Sequence, residues 1–393
     1  MEEYFVKSIR GLTYDNNKIY LIASDIYAVL EYDCLCKKTK ILADFPEEIQ
    51  FVAAFEKILK YGNKIYLFPC LARDIYYYDL EKKVYHKLGI LESVITGMAD
   101  RKHLEVIEYK GYIYCVCRRP NIIICIDPAT NNYQIHFMPL GLLNERKSIG
   151  GVSFTLCVNE NKLIYPYGDN IIIEYFIEEA RFRAIYLEEK VLESHQGNHD
   201  IILGVCVDSN NNYWIHNLNG DVFQVIDDKK IKINISEEFT RSYYDGYNDQ
   251  PGINRMFVVK DDLCFSLRSV CKIMKYKVIT GDVILLENNF AKWNEKGRQV
   301  AFSYYAQINE ETFLEFSEND GIIYQWNYND GFVGKTEIRL PFEELLESKF
   351  ADDYWMLNND DIEKYLLYVK HNYRRNKQKD YIGCGEKIYS ESL

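Results

Sequence analysis

The sequence has 393 residues, of which 48% are apolar and 27% charged, so the chain can bury a sizeable core and is not a disordered protein. Its 59 acidic and 47 basic residues give a net charge of −12, which argues against a nucleic-acid partner because phosphates would be repelled. No apolar stretch approaches the roughly 20 residues that span a bilayer, so we expect no membrane segment, no secretion signal and a cytoplasmic location.

Aromatic residues make up 15% of the chain, with 34 Tyr, 20 Phe and 4 Trp. Such side chains fit a pleated, stacked surface, so the composition predicts mostly β-sheet. We expect the buried Tyr and Trp to be core residues whose polar ends form hydrogen bonds. The 11 Cys lie in apolar runs and are expected to be buried, reduced thiols, and the pairs Cys34, Cys36 and Cys115, Cys117 are expected on strand faces.

A unit of about 50 residues repeats seven times between residues 5 and 340. Each copy contains a polar turn and an apolar strand, as in Asn-Lys-Ile-Tyr-Leu at 17–21 and again at 63–67. If one residue of each strand is taken as an anchor, the successive spacings are 46, 48, 50, 50, 50 and 49 residues. The anchors are Tyr20, Tyr66, Tyr114, Ile164, Trp214, Cys264 and Phe313.

Each repeat predicts four short strands. An apolar run precedes the anchor strand, another strand ends about twelve residues after the anchor, often in Tyr-Asp, and a last strand follows a short turn. Runs such as 122–126 are apolar at every position, as expected for a sheet covered on both faces. The sequence therefore predicts an all-β, seven-bladed β-propeller over residues 1–340. Separate hairpin domains are the alternative, and these would need polar outer faces.

Two stretches of the repeat carry a family resemblance. Residues 63–66 followed by Tyr78 and Asp79, and Ile-Asp-Pro-Ala-Thr-Asn-Asn-Tyr at 126–133, resemble the strand and the Tyr-Asp-Pro turn of kelch propellers. The paired glycines that usually close the second strand of a kelch repeat are absent. The resemblance implies a propeller used mostly for binding, although some kelch-like propellers carry enzyme sites.

Helical spacing replaces the repeat after Pro341. Apolar residues recur three and four positions apart, so residues 341–393 are predicted to form a helical C-terminal extension. This extension is expected to pack on a rim of the propeller or to offer a helical face to a partner. The apolar positions are Phe342, Leu345, Leu346, Phe350, Ile362, Tyr365, Leu366, Val369 and Tyr373.

The predicted topology sorts the loops onto two rims. Loops after the first and third strands of a meander share one rim, here called the hairpin rim. Loops after the second strand and the links between blades share the opposite one, here called the linker rim. Nine of the fifteen arginines fall on the linker rim: Arg73, Arg101, Arg118, Arg119, Arg146, Arg241, Arg255, Arg268 and Arg298.

Arginine is suited to bidentate capture of carboxylate or phosphate and to stacking on aromatic rings. Long links on the same rim contribute Tyr243, Tyr244 and Trp293 near the central funnel. We therefore predict a binding or scaffolding propeller that recognises a protein, peptide or small anionic ligand through this rim. The alternative is that these arginines pair with nearby acids, such as Asp74, Asp100, Glu145 and Glu295, and only hold loops together.

An enzyme is the second hypothesis for the same rim. A propeller lyase, hydrolase or transferase acting on a sugar or peptide would need a funnel acid or base, and the candidates are His103, His195 and His199. The chain contains no P-loop, no G-x-S-x-G nucleophile elbow and no H-E-x-x-H motif, so we predict neither a cofactor nor a metal. The sequence leaves the oligomeric state open.

Overall fold

Seven four-stranded sheets make up the fold, and each is an antiparallel meander whose strands follow one another in chain order. They form the blades of a propeller, so the predicted all-β class and seven-bladed architecture are confirmed. The structure is a computed structural model that describes residues 3–46, 49, 54–94, 104–118, 121–142, 155–168, 170–187, 201–217, 220–233, 235, 253–267, 272–286, 302–317 and 321–347.

Blades 1 to 4 occupy the first half of the propeller. Their strands are β2 (Ile9–Asp15), β3 (Lys18–Ala23), β4 (Ala28–Asp33) and β5 (Lys38–Asp44); β6 (Phe55–Tyr61), β7 (Lys64–Pro69), β8 (Tyr76–Asp79) and β9 (Val84–Lys87); β10 (Leu104–Tyr109), β11 (Tyr112–Arg118), β12 (Asn121–Ile126) and β13 (Tyr133–Phe137); β14 (Cys157–Asn159), β15 (Lys162–Tyr167), β16 (Ile171–Phe176) and β17 (Arg181–Tyr186). A helix α1 (Ile90–Val94) and a 3-10 helix (Leu140–Leu142) lie in links between these blades.

Blades 5 to 7 complete the propeller. Their strands are β18 (Ile202–Val207), β19 (Tyr213–Asn217), β20 (Val222–Ile226) and β21 (Lys229–Lys232); β22 (Ile253–Val259), β23 (Asp262–Leu267), β24 (Lys272–Tyr276) and β25 (Val283–Leu286); β26 (Phe302–Asn309), β27 (Thr312–Ser317), β28 (Ile322–Asn327) and β29 (Gly331–Glu337). Outside the blades lie β1 (Glu3–Phe5), β30 (Arg339–Pro341) and helix α2 (Phe342–Glu347).

The core is divided among the blade interfaces. The described residues form seven hydrophobic clusters, and each joins two neighbouring blades. The run at 122–126 shows why the strands lack polar alternation: Ile122 and Ile124 pack against blade 2, whereas Ile123 packs against blade 4. Because side chains alternate along a strand, a sheet between two neighbours needs apolar residues at every position.

The first strand of each blade lies nearest the central axis. These strands contact one another between blades, β2 with β6 and β26, and β18 with β14 and β22. The fourth strands are the most exposed, and β21 has only one position that is not fully exposed. Residues on the first two strands are therefore the ones that can face the central funnel.

Ring closure between blades 7 and 1 uses both flanks of the repeat region. Strand β1 pairs with β30, with Tyr4 opposite Leu340. Val6, Ile338 and Leu340 are fully buried and pack with residues of blades 1 and 7. All four strands of every blade thus come from one contiguous stretch, and an added pair of strands seals the junction.

The Tyr-Asp signal of the repeat has a local physical cause. At the end of the third strand, Asp33 Oδ1 accepts hydrogen bonds from the backbone N–H groups of Leu35 and Cys36, at 2.8 and 3.0 Å. Asp79 and Asn327 accept equivalent bonds in their own blades. The backbone bonds to Asp33 lower the pKa of its carboxyl. The side chain therefore fixes the turn that follows the third strand in these three blades.

The tyrosines were expected to be core residues with hydrogen-bonded hydroxyls, and several described ones confirm this. Tyr66 is fully buried in blade 2, and its hydroxyl donates to Asn131 Oδ1 of blade 3 at 2.9 Å. Tyr78 donates to the backbone carbonyl of Leu42 in blade 1 at 3.2 Å. Such bonds join neighbouring blades at the edges of the apolar clusters.

Two other predictions are resolved in part. Helix α2 lies at the start of the predicted helical extension, and residues 348–393 lie outside the described part. Cys115 and Cys117 are buried on a strand as expected, but the placement of Cys34 and Cys36 was wrong, because both lie in the turn after β4 and Cys36 is exposed. None of the described helices is long and apolar enough to cross a membrane.

We predict that Leu340→Ala weakens the closure of the ring. The substitution removes a fully buried side chain from the cluster between blades 7 and 1, which costs about 2–5 kcal/mol of unfolding free energy. Urea unfolding would measure the loss. Leu35→Ala is the matched control, because Leu35 is 78% exposed and its truncation should change stability by less than about 0.5 kcal/mol. Equal effects of both variants would contradict the assigned role of β30.

Candidate functional site

Three of the nine arginines predicted for the linker rim lie within the described residues. Arg73 is exposed between β7 and β8, Arg118 is the last residue of β11, and Arg255 is the third residue of β22. The remaining predicted site residues lie outside the described part and stay predictions: Arg101, Arg119, Arg146, Arg241, Tyr243, Tyr244, Arg268, Trp293, Arg298, His103, His195 and His199.

Asp74 was one of the acids expected to pair with an arginine, and the structure gives it another role. Its carboxylate is fully buried and accepts hydrogen bonds from the backbone N–H groups of Ile75, Ile90 and Leu91, at 2.6, 3.1 and 3.3 Å. Burial raises the pKa of Asp74, and these bonds oppose the rise. Asp74 therefore holds the start of α1 rather than the guanidinium of Arg73.

Arg255 belongs to a polar group on the inner strands of blades 5 to 7. We call this group the Arg255 cluster and define it as His216, Arg255, Ser266, Tyr305 and Glu315. Three of its side chains are buried, whereas Arg255 and Tyr305 are half-buried. The cluster lies toward the linker rim, because β22 enters from that rim and β23 ends there.

The guanidinium of Arg255 lies over an aromatic ring of the next blade. Its central carbon is 4.8 Å from the centroid of the Tyr305 ring, a cation–π geometry. Among the described carboxylates, none forms an ion pair with Arg255. A half-buried arginine is usually paired with an acid, whereas no described residue uses the hydrogen-bonding capacity of this guanidinium.

Glu315 is 1% exposed and lies opposite Tyr305 in the β26–β27 pair. Burial raises the pKa of Glu315 to about 8, although the Ser266 hydroxyl and the charge of Arg255 act in the opposite direction. One oxygen of this carboxyl, Oε2, has no hydrogen-bond partner of good geometry among the described residues. At neutral pH the group is therefore mostly a neutral acid that can donate a hydrogen bond.

His216 is fully buried on the neighbouring blade. Burial is the main cause that lowers its pKa to about 3; a hydrogen bond to the Asn217 backbone opposes the fall and the charge of Arg255 adds to it, so the imidazole is neutral. Neither ring nitrogen has a partner of good geometry within the described part of the chain. The ring lies directly over Gly204, where an added Cβ would come 2.4 Å from His216 Nε2 and 2.5 Å from Thr155 Oγ1.

Register comparison shows how unusual these residues are. Strand pairing places three residues of the cluster, His216, Ser266 and Glu315, at positions that are apolar in the other blades. The equivalents of His216 and Ser266 are Ile22, Phe68, Val116, Pro166 and Phe316, and those of Glu315 are Leu21, Leu67, Cys115, Tyr165, Ile215 and Phe265. Sequence reasoning missed this cluster, although the repeat itself carried the signal.

Phe313, the residue predicted as the seventh anchor, is one position away from the true equivalent. Thr312 pairs with the turn residue Asn327, so Leu314 rather than Phe313 is equivalent to Tyr20. Leu314 packs toward blade 1, whereas Phe313 packs toward blade 6. Glu315, two residues after Phe313, therefore faces back toward blade 6 and meets Ser266.

The Arg255 cluster has the composition of an anion site. At neutral pH it carries one positive charge, on Arg255, beside neutral groups that can each donate a hydrogen bond. Buried polar groups are nearly always hydrogen-bonded in folded proteins, so buried ones without a partner of good geometry beside a half-buried arginine favour a polar guest. Within the described ranges, no three His, Cys, Asp or Glu side chains are placed to hold a metal ion.

We predict that Glu315→Gln removes a pH dependence of stability. Because the pKa of Glu315 is about 8 in the folded chain and its ordinary value is 4.5, the wild-type free energy of unfolding should fall relative to that of Glu315→Gln as pH rises between these values. The difference should change by about 1.4 kcal/mol per pH unit, and the opposite contribution of His216 below about pH 6.5 is common to both chains. Urea unfolding at several pH values measures it. The exposed carboxyl variant Glu310→Gln should behave as wild type, and a parallel decline in all three chains would refute the assignment.

Gly204→Ala should destabilise the chain by roughly 1–3 kcal/mol, because the new methyl group overlaps the His216 ring and the Thr155 hydroxyl. Adding His216→Ala should recover part of that loss, since the ring is the nearer obstacle. Thermal unfolding of the single and double variants measures the coupling. Gly141→Ala is the control, because a Cβ there meets no atom within 4 Å. Strict additivity of Gly204→Ala and His216→Ala would show that the ring does not lie over Gly204.

No protein-family model matches the chain, and no curated protein matches it. Solved structures do. BamB from Moraxella catarrhalis is 10% identical with a TM-score of 0.50, over 82% of this chain and 86% of that one. U3-55K is 12% identical at a TM-score of 0.50, over 86% and 98% of the two chains. KlAtg21, solved with the coiled-coil of AgAtg16, is 16% identical with a TM-score of 0.50, over 85% of this chain and 100% of that one.

These identities are low, so the likeness shows a β-propeller fold and nothing finer. The three proteins carry different names, and 1267 solved chains match in all, so the fold does not select a function. The kelch family remains a resemblance of sequence motifs. What the chain does has to be argued from the Arg255 cluster.

Proposed function

We propose that this chain is a binding propeller that recognises an anionic ligand at the linker rim, with Arg255 as the residue that pairs with the ligand's negative charge. Propellers commonly serve binding or scaffolding, and the described residues favour a ligand held on the inner strands of blades 5 to 7. The supporting observation is the half-buried guanidinium of Arg255, stacked on Tyr305 and without an ion pair to a described carboxylate.

The surroundings of Arg255 favour an anion over a cation. A cation site would present carboxylates, yet the acid of the cluster, Glu315, is held mostly neutral by burial. His216 is neutral as well, and Ser266 contributes a hydroxyl without a partner of good geometry. Guanidinium and hydroxyl donors are the groups that proteins use to bind carboxylate and phosphate oxygens.

The other arginines predicted for the linker rim would enlarge the binding surface beyond the Arg255 cluster. Arg73 and Arg118 belong to blades 2 and 3, so they would contact only a ligand that spans the funnel. A protein or acidic peptide would need that wider surface, whereas a small anion would need only the Arg255 cluster. The burial of Ser266 and Glu315 favours the small anion. A cytoplasmic location and the lack of nucleic-acid and membrane partners belong to the same proposal.

An enzyme is the second candidate function, and Glu315 is the observation that favours it. A carboxyl with a pKa of about 8 next to an arginine has the properties of an acid–base catalyst that works near neutral pH. Mass spectrometry of small molecules incubated with the protein distinguishes the two functions. A binding module returns its ligand unchanged, whereas an enzyme yields a product that Glu315→Gln no longer forms.

We predict that anion binding depends on Arg255. Sodium propionate, sodium phosphate and a hexaglutamate peptide are the probes, each titrated calorimetrically at neutral pH against matched sodium chloride. At least one should bind, and Arg255→Ala should weaken it by about tenfold or more, since a charge-assisted hydrogen bond contributes roughly 1.5–3 kcal/mol.

Arg181→Ala is the matched control for Arg255→Ala. Arg181 also stacks on an aromatic ring, with its guanidinium carbon 4.2 Å from the Phe176 centroid, but it lies on the outermost strand of blade 4. Its removal should leave every titration unchanged. Absence of binding by all three probes, or binding that survives Arg255→Ala, would remove the proposed function.

A further inference from the structure

We infer that the ligand of the Arg255 cluster is a small monocarboxylate, paired with the guanidinium of Arg255 and hydrogen-bonded by the protonated carboxyl of Glu315 and the hydroxyl of Ser266. This inference rests on the proposed function and specifies the chemistry of its ligand. It also gives Glu315 a role, as a donor that is present only while the carboxyl holds its proton.

Strand pairing brings these donors together from two blades. Arg255 and Ser266 are a cross-strand pair on the face of blade 6 that looks toward blade 7. Tyr305 and Glu315 are a cross-strand pair on the opposing face of blade 7. A group held between the two faces therefore meets the guanidinium and hydroxyl on one side and the carboxyl on the other, which suits the two oxygens of a carboxylate.

Unpartnered buried atoms supply the independent observation. Ser266 is 0% exposed and Glu315 is 1% exposed, and Ser266 Oγ and Glu315 Oε2 both have no hydrogen-bond partner of good geometry among the described residues. The Ser266 hydroxyl acts on the Glu315 carboxyl without reaching good hydrogen-bond geometry, so a guest that bonds to both would offset a cost already present in the fold. Six other blades have apolar residues at the position of Glu315, so packing does not require an acid there.

Charge balance selects a monoanion. With Glu315 protonated and His216 neutral, Arg255 carries the one formal charge of the cluster. A monocarboxylate neutralises that charge, whereas a phosphate dianion would leave a net negative charge in a largely buried site, which is costly. We therefore expect propionate to bind better than phosphate.

Among the described groups that face one another here, Glu315 is the one that titrates near neutral pH. Blade 6 presents Arg255, Ser266 and Cys264, and blade 7 presents Tyr305 and Tyr324. Burial raises the pKa of Cys264 to about 12 and also raises that of Tyr305, so both stay uncharged. Loss of the Glu315 proton removes a donor and places a negative charge beside the ligand. Affinity must then fall as pH rises past about 8.

The experiment is a calorimetric titration of the full chain with sodium propionate at about pH 7, 8 and 9, where propionate is ionised throughout. Wild-type affinity should be about tenfold lower at pH 9 than at pH 7, because Glu315 is then mostly deprotonated. Glu315→Gln keeps an N–H donor in place of the acid, so it should bind at pH 7 and show no such loss. Glu310→Gln should keep the wild-type profile.

Each other outcome overturns the inference in a distinguishable way. Phosphate or hexaglutamate binding that needs Arg255, without propionate binding, would refute the monocarboxylate and leave the proposed function standing. Propionate binding that is independent of pH in the wild type would refute the role of Glu315, even if Glu315→Gln did not fold. Binding by none of the probes would refute both proposals. Ser266→Ala adds a second variant, which should weaken propionate binding at pH 7 and move the pH-dependent loss of affinity to higher pH, because the Ser266 hydroxyl lowers the pKa of Glu315.

Discussion

Burial of both faces of every blade against its neighbours is the constraint on which this structure depends. A sheet in that position must be apolar throughout, and the seven clusters between blades meet the requirement with Ile, Leu, Val, Tyr and Phe. Polar atoms are tolerated where they are bonded across the interface, as for Tyr66 and Asn131. The Arg255 cluster departs from the pattern because it gathers three buried polar side chains, His216, Ser266 and Glu315, whose atoms have no partner of good geometry in the described part of the chain.

A buried group without a partner lowers stability, so its presence calls for a cause outside folding. Natural proteins accept such costs where chemistry or recognition requires them. His216, Ser266 and Glu315 stand at inner-strand positions in three consecutive blades, and each replaces an apolar residue of the repeat. Their grouping around Arg255, rather than any single pKa, is the reason to place a ligand there.

Much of the fold could be predicted from the sequence because the repeat leaves a periodic trace. Spacings near 50 residues, the Tyr-Asp turn and apolar runs such as 122–126 each reflect a physical need of a blade, and the structure contains all three. The site was harder to find, because the sequence argument placed it on the links, whose arginines mostly lie outside the described residues, and gave no weight to polar residues on the inner strands. The strand register decided which side chains of blade 7 face blade 6. Residue type favoured Phe313 as the last anchor, but pairing across the sheet shows that Leu314 holds that position, and only then does Glu315 turn toward Ser266.

The pairing of β1 with β30 means that no blade is assembled from both flanks of the repeat region. Each sheet is therefore complete within one stretch of the chain, and a break in the link between two blades leaves every sheet intact. A circular permutant that fuses the flanks of the ring and opens the chain in the link between blades 1 and 2 keeps all seven meanders whole. Closure of the ring and formation of the individual blades are therefore carried by different strands.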